Sequence, residues 1–394
     1  MQPIRLRPLH TLTSTLAALL LVAGCDGEAL DELPIEEAPD DEHEPPFFAA
    51  EVDYAPPSIG EPEAPLDLLA DEHDGTLIAS GSDFRVRLHR SRRVAELIVS
   101  RDHLARWYSR PLTRWAPEAT QRIYEVFADD FDFIVMVPAS EGQHPALLVD
   151  GDSVRVSNRV EGLGMTQFDK TAWYGSEGRL QSVVLLGGIK HVVGGPSLRE
   201  LGKRWGNVFI PTVSPDHFGF SDVGGQLGGC APDEMEYLGH GRWYCDFNGG
   251  TNWSPDGATH NDRPYGRLEL YLMGLLGPGA VPPVSWADDG EWVNADLGVF
   301  SGTVRTATID ELRATHGERF PDHLDSQKQF RTLFVVISGG DMVDMPMFDS
   351  FDSRVAEFAA PEAVINEQPG LFNFFEATSG LATLDPEQLD ASLR

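Results

Sequence analysis

Apolar residues in this chain occur in two arrangements, at helical spacing and in short unbroken runs, and the two alternate from about residue 117 onward. Residues 117–128 (PEATQRIYEVFA) start at a proline and place Ile123, Val126 and Phe127 at helical spacing. Residues 131–138 (FDFIVMVP) follow as an apolar run of strand length, which predicts a buried strand. Residues 153–160 and 179–187 (RLQSVVLLG) predict further strands, and residues 196–207 (PSLRELGKRWGN) a helix that opens at Pro196 and ends at Gly206. Another helix is predicted over residues 266–276 (GRLELYLMGLL), with Leu268, Leu272, Leu275 and Leu276 on one face. Shorter pieces complete the pattern: a strand at 303–308, a helix at 309–315, an apolar run at 330–337 (FRTLFVVI) and a helix at 351–358. Helix followed by strand predicts an α/β domain. With no repeat at solenoid spacing, the simplest organisation is one large domain or two closely packed ones across residues 85–394.

The stretch before residue 85 has neither pattern. Between Asp26 and Phe84 there are 19 Asp or Glu, no Lys or Arg, and eight prolines. Such a segment cannot bury enough apolar surface to order itself, so residues 25–84 are expected to form an extended, self-repelling tether. The whole chain carries 62 acidic against 30 basic residues, a formal net charge of -32. That charge argues against nucleic acid as a partner, because phosphate binding needs a Lys/Arg surface.

Residues 1–24 have the layout of an export signal, with Arg5 and Arg7 before a short apolar run that contains Leu19, Leu20, Leu21 and Val22. The run is too short to span a bilayer. It ends in Val22-Ala23-Gly24-Cys25, which resembles the lipobox of bacterial lipoproteins. The resemblance implies acylation of Cys25 and a lipid-anchored protein of the bacterial cell envelope, periplasmic or on the outer surface, whose membrane contact is the lipid. Cys230 and Cys245 remain, and two cysteines in an oxidising compartment are expected to pair, closing a loop worth about 3 kcal/mol in the chain-entropy model.

Hydrolytic zinc enzymes often place two His at i and i+4 on one helix face with a Glu after the first. That spacing aims both imidazoles at one metal and the carboxylate at the metal-bound water. A helix-breaking Gly and a third His follow in one group of them. Over residues 199–209 (RELGKRWGNVF), Glu200 falls at the general-base position and Gly206 at the turn, while Arg199, Lys203 and Phe209 occupy the three ligand positions. Downstream, Tyr271-Leu272-Met273-Gly274 resembles a Met-turn, the hydrophobic floor beneath the metal. With residues 179–187, His217-Phe218-Gly219-Phe220, residues 268–275 and residues 375–380 (FEATSG), these phrases resemble secreted bacterial metzincin-like proteins over about residues 115–390.

The resemblance implies an α/β, metzincin-like fold, a mixed sheet with an active-site-type helix and a Met-turn, and the departures imply lost zinc. Arginine cannot be deprotonated in a protein, Lys203 flanked by Arg199 and Arg204 adds a second repelling cation, and phenylalanine has no lone pair. The bland expectation for Glu200 is a pairing with Lys203 at i+3 or Arg204 at i+4 on an exposed helix face. The functional expectation is a non-catalytic binding or scaffolding module, without cofactor, whose cleft accepts a peptide or protein partner. An alternative is an active zinc endopeptidase with ligands rebuilt among His191, His217, His240, His260, Asp246, Asp256 and Asp262, which alone would require zinc. A third reading is a surface structural protein whose cleft is filled by Arg199, Lys203 and Phe209. Residues 246–257 (DFNGGTNWSPDG) begin like a calcium loop but lack its sixth-position Gly and twelfth-position Glu. The glycine-rich residues 224–229 read as a turn-forming loop, since no helix pattern follows to complete a phosphate cradle.

Overall fold

The computed structural model describes residues 75–394 except 82, 207, 212–216, 231, 233, 246–262 and 365–370. The export signal, Cys25, the calcium-like loop, and His260, Asp246, Asp256 and Asp262 therefore lie outside the described residues.

Three strands come first, β1 (Thr76–Ser80), β2 (Phe84–Leu88) and β3 (Val94–Val99), followed by helices α1 (Arg101–Tyr108) and α2 (Leu112–Val126). Next are β4 (Phe133–Pro138), β5 (Gly151–Arg155), the short pair β6 (Ser157–Asn158) and β7 (Phe168–Asp169), β8 (Ser182–Leu186) and α3 (Gly195–Gly202). The chain then forms β9 (Glu236–Gly239), β10 (Arg242–Tyr244), α4 (Arg267–Met273), β11 (Val284–Ala287) and β12 (Glu291–Asn294). It continues through β13 (Val299–Ser301), β14 (Val304–Ala307), α5 (Ile309–His316) and β15 (Gln329–Gly339). The last elements are α6 (Met345–Phe358), α7 (Phe374–Ala377) and β16 (Thr383–Asp385).

The main sheet runs β1-β2-β3-β15-β4-β8-β5, with β16 paired to β15 as its eighth strand. It is mixed. β3, β15, β4 and β8 are parallel neighbours, whereas β1 and β2 at one side and β5 at the other run antiparallel. The long β15 pairs with β16 at residues 329–331 and with β3 from residue 334, so β16 continues the line of β3.

Apolar residues alternate between two cores because helices cover both faces of the parallel strands. Phe133, Val135 and Val137 of β4 join Phe334 and Val336 of β15 in one core with α3, α4, α5, α6 and α7. Ile134, Met136, Leu333, Val335 and Ile337 point the other way, toward α1 and α2. This burial on both sides is why residues 131–138 and 330–337 carry no polar alternation, and mixed α/β is the fold class. Among the described residues no helix is long and apolar enough to cross a membrane.

Four expectations need correction. Strand β1 lies inside the segment read as a tether, and it is ordered by pairing with β2, Leu77 opposite Arg87. Helix α2 starts at Leu112, not Pro117, because Leu112, Trp115 and Ala116 are buried and Trp115 stacks on Trp107 at 5.3 Å; that packing outweighs the backbone bond Pro117 cannot make. The predicted strand over 153–160 divides into β5 and β6. Helix α3 stops at Gly202 instead of reaching Gly206, with Lys203 as its cap and a turn through Trp205.

A smaller sheet, β12-β13-β10-β9, flanks the disulfide between Cys230 and Cys245, whose Cα atoms are 5.7 Å apart. Both cysteines are buried beside Phe220, Ala287 and Phe300, so the bridge is the centre of a satellite core.

Candidate functional site

The site begins where α3 packs on β5 and β8. Gly151, Ser153 and Arg155 share one face of β5 by the two-residue period of a strand, and all three meet α3. A Cβ at Gly151 would lie 2.8 Å from Glu200 Cγ, so the glycine is what lets the helix approach this closely. The Ser153 hydroxyl donates to Glu200 Oε2 at 2.7 Å, and Arg155 Nε donates to the Lys203 carbonyl at 2.6 Å, at the helix C-terminus.

Glu200 is fully buried, at 0% exposure. Its Oε1 accepts from Arg199 Nε at 2.9 Å and from Lys203 Nζ at 3.0 Å, and Arg199 Nη2 also reaches to 4.0 Å from Asp150. Burial alone would raise the Glu200 carboxyl. Lys203, Arg199 and the Ser153 hydroxyl more than offset it, and the group ends below the ordinary glutamate value. Burial, Lys190 and Arg199 push neighbouring His191 down to about 4.

The expected i+3 partner, Lys203, is therefore present, but on a buried face instead of an exposed one. Arg204 is not the i+4 partner. Because α3 has already ended, its guanidinium turns away and donates to Asn158 Oδ1 at 3.3 Å.

Of the sequence-derived ligand positions, the structure brings Arg199 and Lys203 together on Glu200 but sets Phe209 elsewhere. Phe209 is buried in the larger core, its ring 6.1 Å from Tyr271 and 4.7 Å from His316. Met273 is also buried, and it lines a cavity of about 420 Å³ together with Arg204, Trp205 and Phe330. Neither Arg199, Glu200 nor Lys203 forms part of that wall. Among the described residues no group of three or more His, Cys, Asp or Glu converges as a metal site would need.

No family model, curated protein or solved structure matches this chain. The site therefore has to be read from its own chemistry. Glu200 spends its lone pairs on two cations and a hydroxyl and has no exposed surface, an arrangement that locks α3 to the sheet and gives the carboxylate no route to water or substrate.

Sequence reasoning missed Ser153 and Asp150, which arrive from a strand and its lead-in nearly fifty residues upstream. It also missed Glu269. This buried carboxylate takes the amides of Gln226 at 3.0 Å, Leu227 at 2.5 Å and Gly266 at 2.6 Å. The glycine-rich loop does cradle a carboxyl group, one supplied by α4 of the same chain. The signal was a Glu three residues into the helix, the capping-box position.

Proposed function

We propose that this protein is a lipid-anchored component of the bacterial cell envelope whose folded part is a non-catalytic binding or scaffolding module with a metzincin-like fold. The observation that carries the reading is the state of Glu200: the residue at the general-base position is sealed in ion pairs with Arg199 and Lys203, two of the residues standing at ligand positions. A hydrolytic base must reach the water it activates. Among the described residues β5 is the last strand on its side of the sheet, and its outer edge is where an extended peptide partner would pair by strand addition.

The expected outcome of metal analysis on the purified chain is no stoichiometric zinc and no peptidase activity restored by added zinc. Chelator-sensitive zinc together with peptide cleavage would establish the zinc endopeptidase alternative and end this reading.

Anchoring is tested separately. Cys25→Ala should release the protein into the soluble fraction with the folded part unchanged by circular dichroism, because an acidic, proline-rich tether is expected to separate the anchor from the folded part. Quantitative partition of the variant with membranes after a high-salt wash would refute the lipid anchor.

A further inference from the structure

The cavity beside Met273 is built around two arginines that, among the described residues, have no acid in hydrogen-bonding contact. Arg204 is 2% exposed, and its Nε has no hydrogen-bond partner. The one bond its guanidinium makes among the described residues goes to the neutral Asn158 side chain. Arg319 is 7% exposed and, among the described residues, donates to neutral oxygens, the carbonyls of Leu272 and Pro321 and the Ser326 hydroxyl, with Asp322 close enough to act on it electrostatically but not bonded to it.

Buried guanidinium groups are ordinarily paired with carboxylates, since desolvating an uncompensated charge is costly. Burial together with Arg155 and Arg319 pushes Arg204 down to about 9, and burial lowers Arg319 to about 10. The acid in the cavity wall, Asp132, is already saturated. It accepts from Arg179, Gln181, Gln327 and the Arg331 amide.

The remaining surfaces describe the missing partner. Trp205 and Phe330 are wall residues with ring centroids 5.4 Å apart, and Val160 and Met273 extend the apolar lining. Arg159 and Arg179 also line the cavity, 67% and 45% exposed at the side chain and paired with Asp169 and Asp132. The volume of about 420 Å³ is far more than a bare oxyanion fills.

We propose that this cavity binds a small organic acid, with its carboxylate on Arg204 and Arg319 and its apolar body against Trp205 and Phe330. Guanidinium groups suit the planar carboxylate, and an aromatic or branched acid would cover the apolar wall. The inference stands on the cavity alone and does not depend on the metzincin-like reading.

Calorimetric titration of the full chain with 3-phenylpropionate, 3-phenylpropanamide, acetate and inorganic phosphate tests it. The aryl acid should give saturable binding, with the amide and acetate each weaker by about tenfold or more. Arg204→Gln should weaken the aryl acid by a similar factor while leaving the unfolding midpoint equal or higher, because it removes a buried cation that has no acid of its own.

Equal affinity for acid and amide would overturn the proposal, as would no saturable heat from the acid. An Arg204→Gln protein that folds and binds unchanged also overturns it, and one that fails to fold shows Arg204 to be structural. Phosphate binding as tightly as the aryl acid would replace it with a bare oxyanion site.

Discussion

Glu200→Ala should cost the protein about 4 kcal/mol of unfolding free energy in a denaturant titration, because removing one partner of a buried ion pair strands the other charges. Arg199 and Lys203 are only 12% and 17% exposed at the side chain, so water recovers little of the loss, and the Ser153 hydroxyl loses its acceptor as well. The pH dependence has a definite sign. A carboxyl held below its unfolded value stabilises the fold above that value, and the contribution disappears as pH falls through the folded-state value. The wild type should therefore lose stability in acid more steeply than Glu200→Ala. A variant within about 1 kcal/mol of wild type at neutral pH would mean the cluster contributes no more than an exposed ion pair does.

Glu269→Ala should be comparably damaging, with a loss of about 3–5 kcal/mol, through backbone donors instead of charges. The amides of Gln226, Leu227 and Gly266 would each lose a buried acceptor, and a space would open where a Cβ at Gly225 now would collide with the carboxylate. Here the linkage runs opposite to that of Glu200. Burial pushes Glu269 up to about 7, with the three amides pulling it lower, so its contribution is complete below the unfolded glutamate value and declines as pH rises through about 7. The destabilisation measured by urea melts should be larger at about pH 5 than at about pH 8. An equal or reversed difference would show that the amides, not burial, dominate this carboxyl.

The parts of the fold that were legible in the sequence are those whose partners are apolar. β4, β8 and β15 announce themselves because both faces are covered, and α4 and α6 because they are packed along apolar faces. The opening strands were unreadable for a specific reason. In β2, Arg87 is buried at 4% exposure and faces Glu96 of β3 at 2.7 Å, with Glu96 also holding the Ser338 hydroxyl and the Val343 amide. A strand whose inward residue is arginine looks exposed until its partner is known. The site divides the same way. Lys203 could be assigned to Glu200 from helical spacing, whereas the Ser153 contact, the isolation of Phe209 and the convergence of Arg204 with Arg319 are products of tertiary packing that no local spacing encodes.

The placement of β15 has a consequence for how the chain reaches its folded state. β3 and β4 are near neighbours in sequence, yet between them in the sheet stands a strand that begins at Gln329. Until that segment is available, β3 has β2 and β4 has β8 to pair with, but the two halves of the sheet have no central member to join them. Closing a sheet across so long a loop is slow, because the entropy of bringing distant segments together precedes the reward of their contact. A chain built this way cannot complete the centre of its main sheet until residues 329–339 are in place, so the step that joins its two halves is among the last that its sequence order allows.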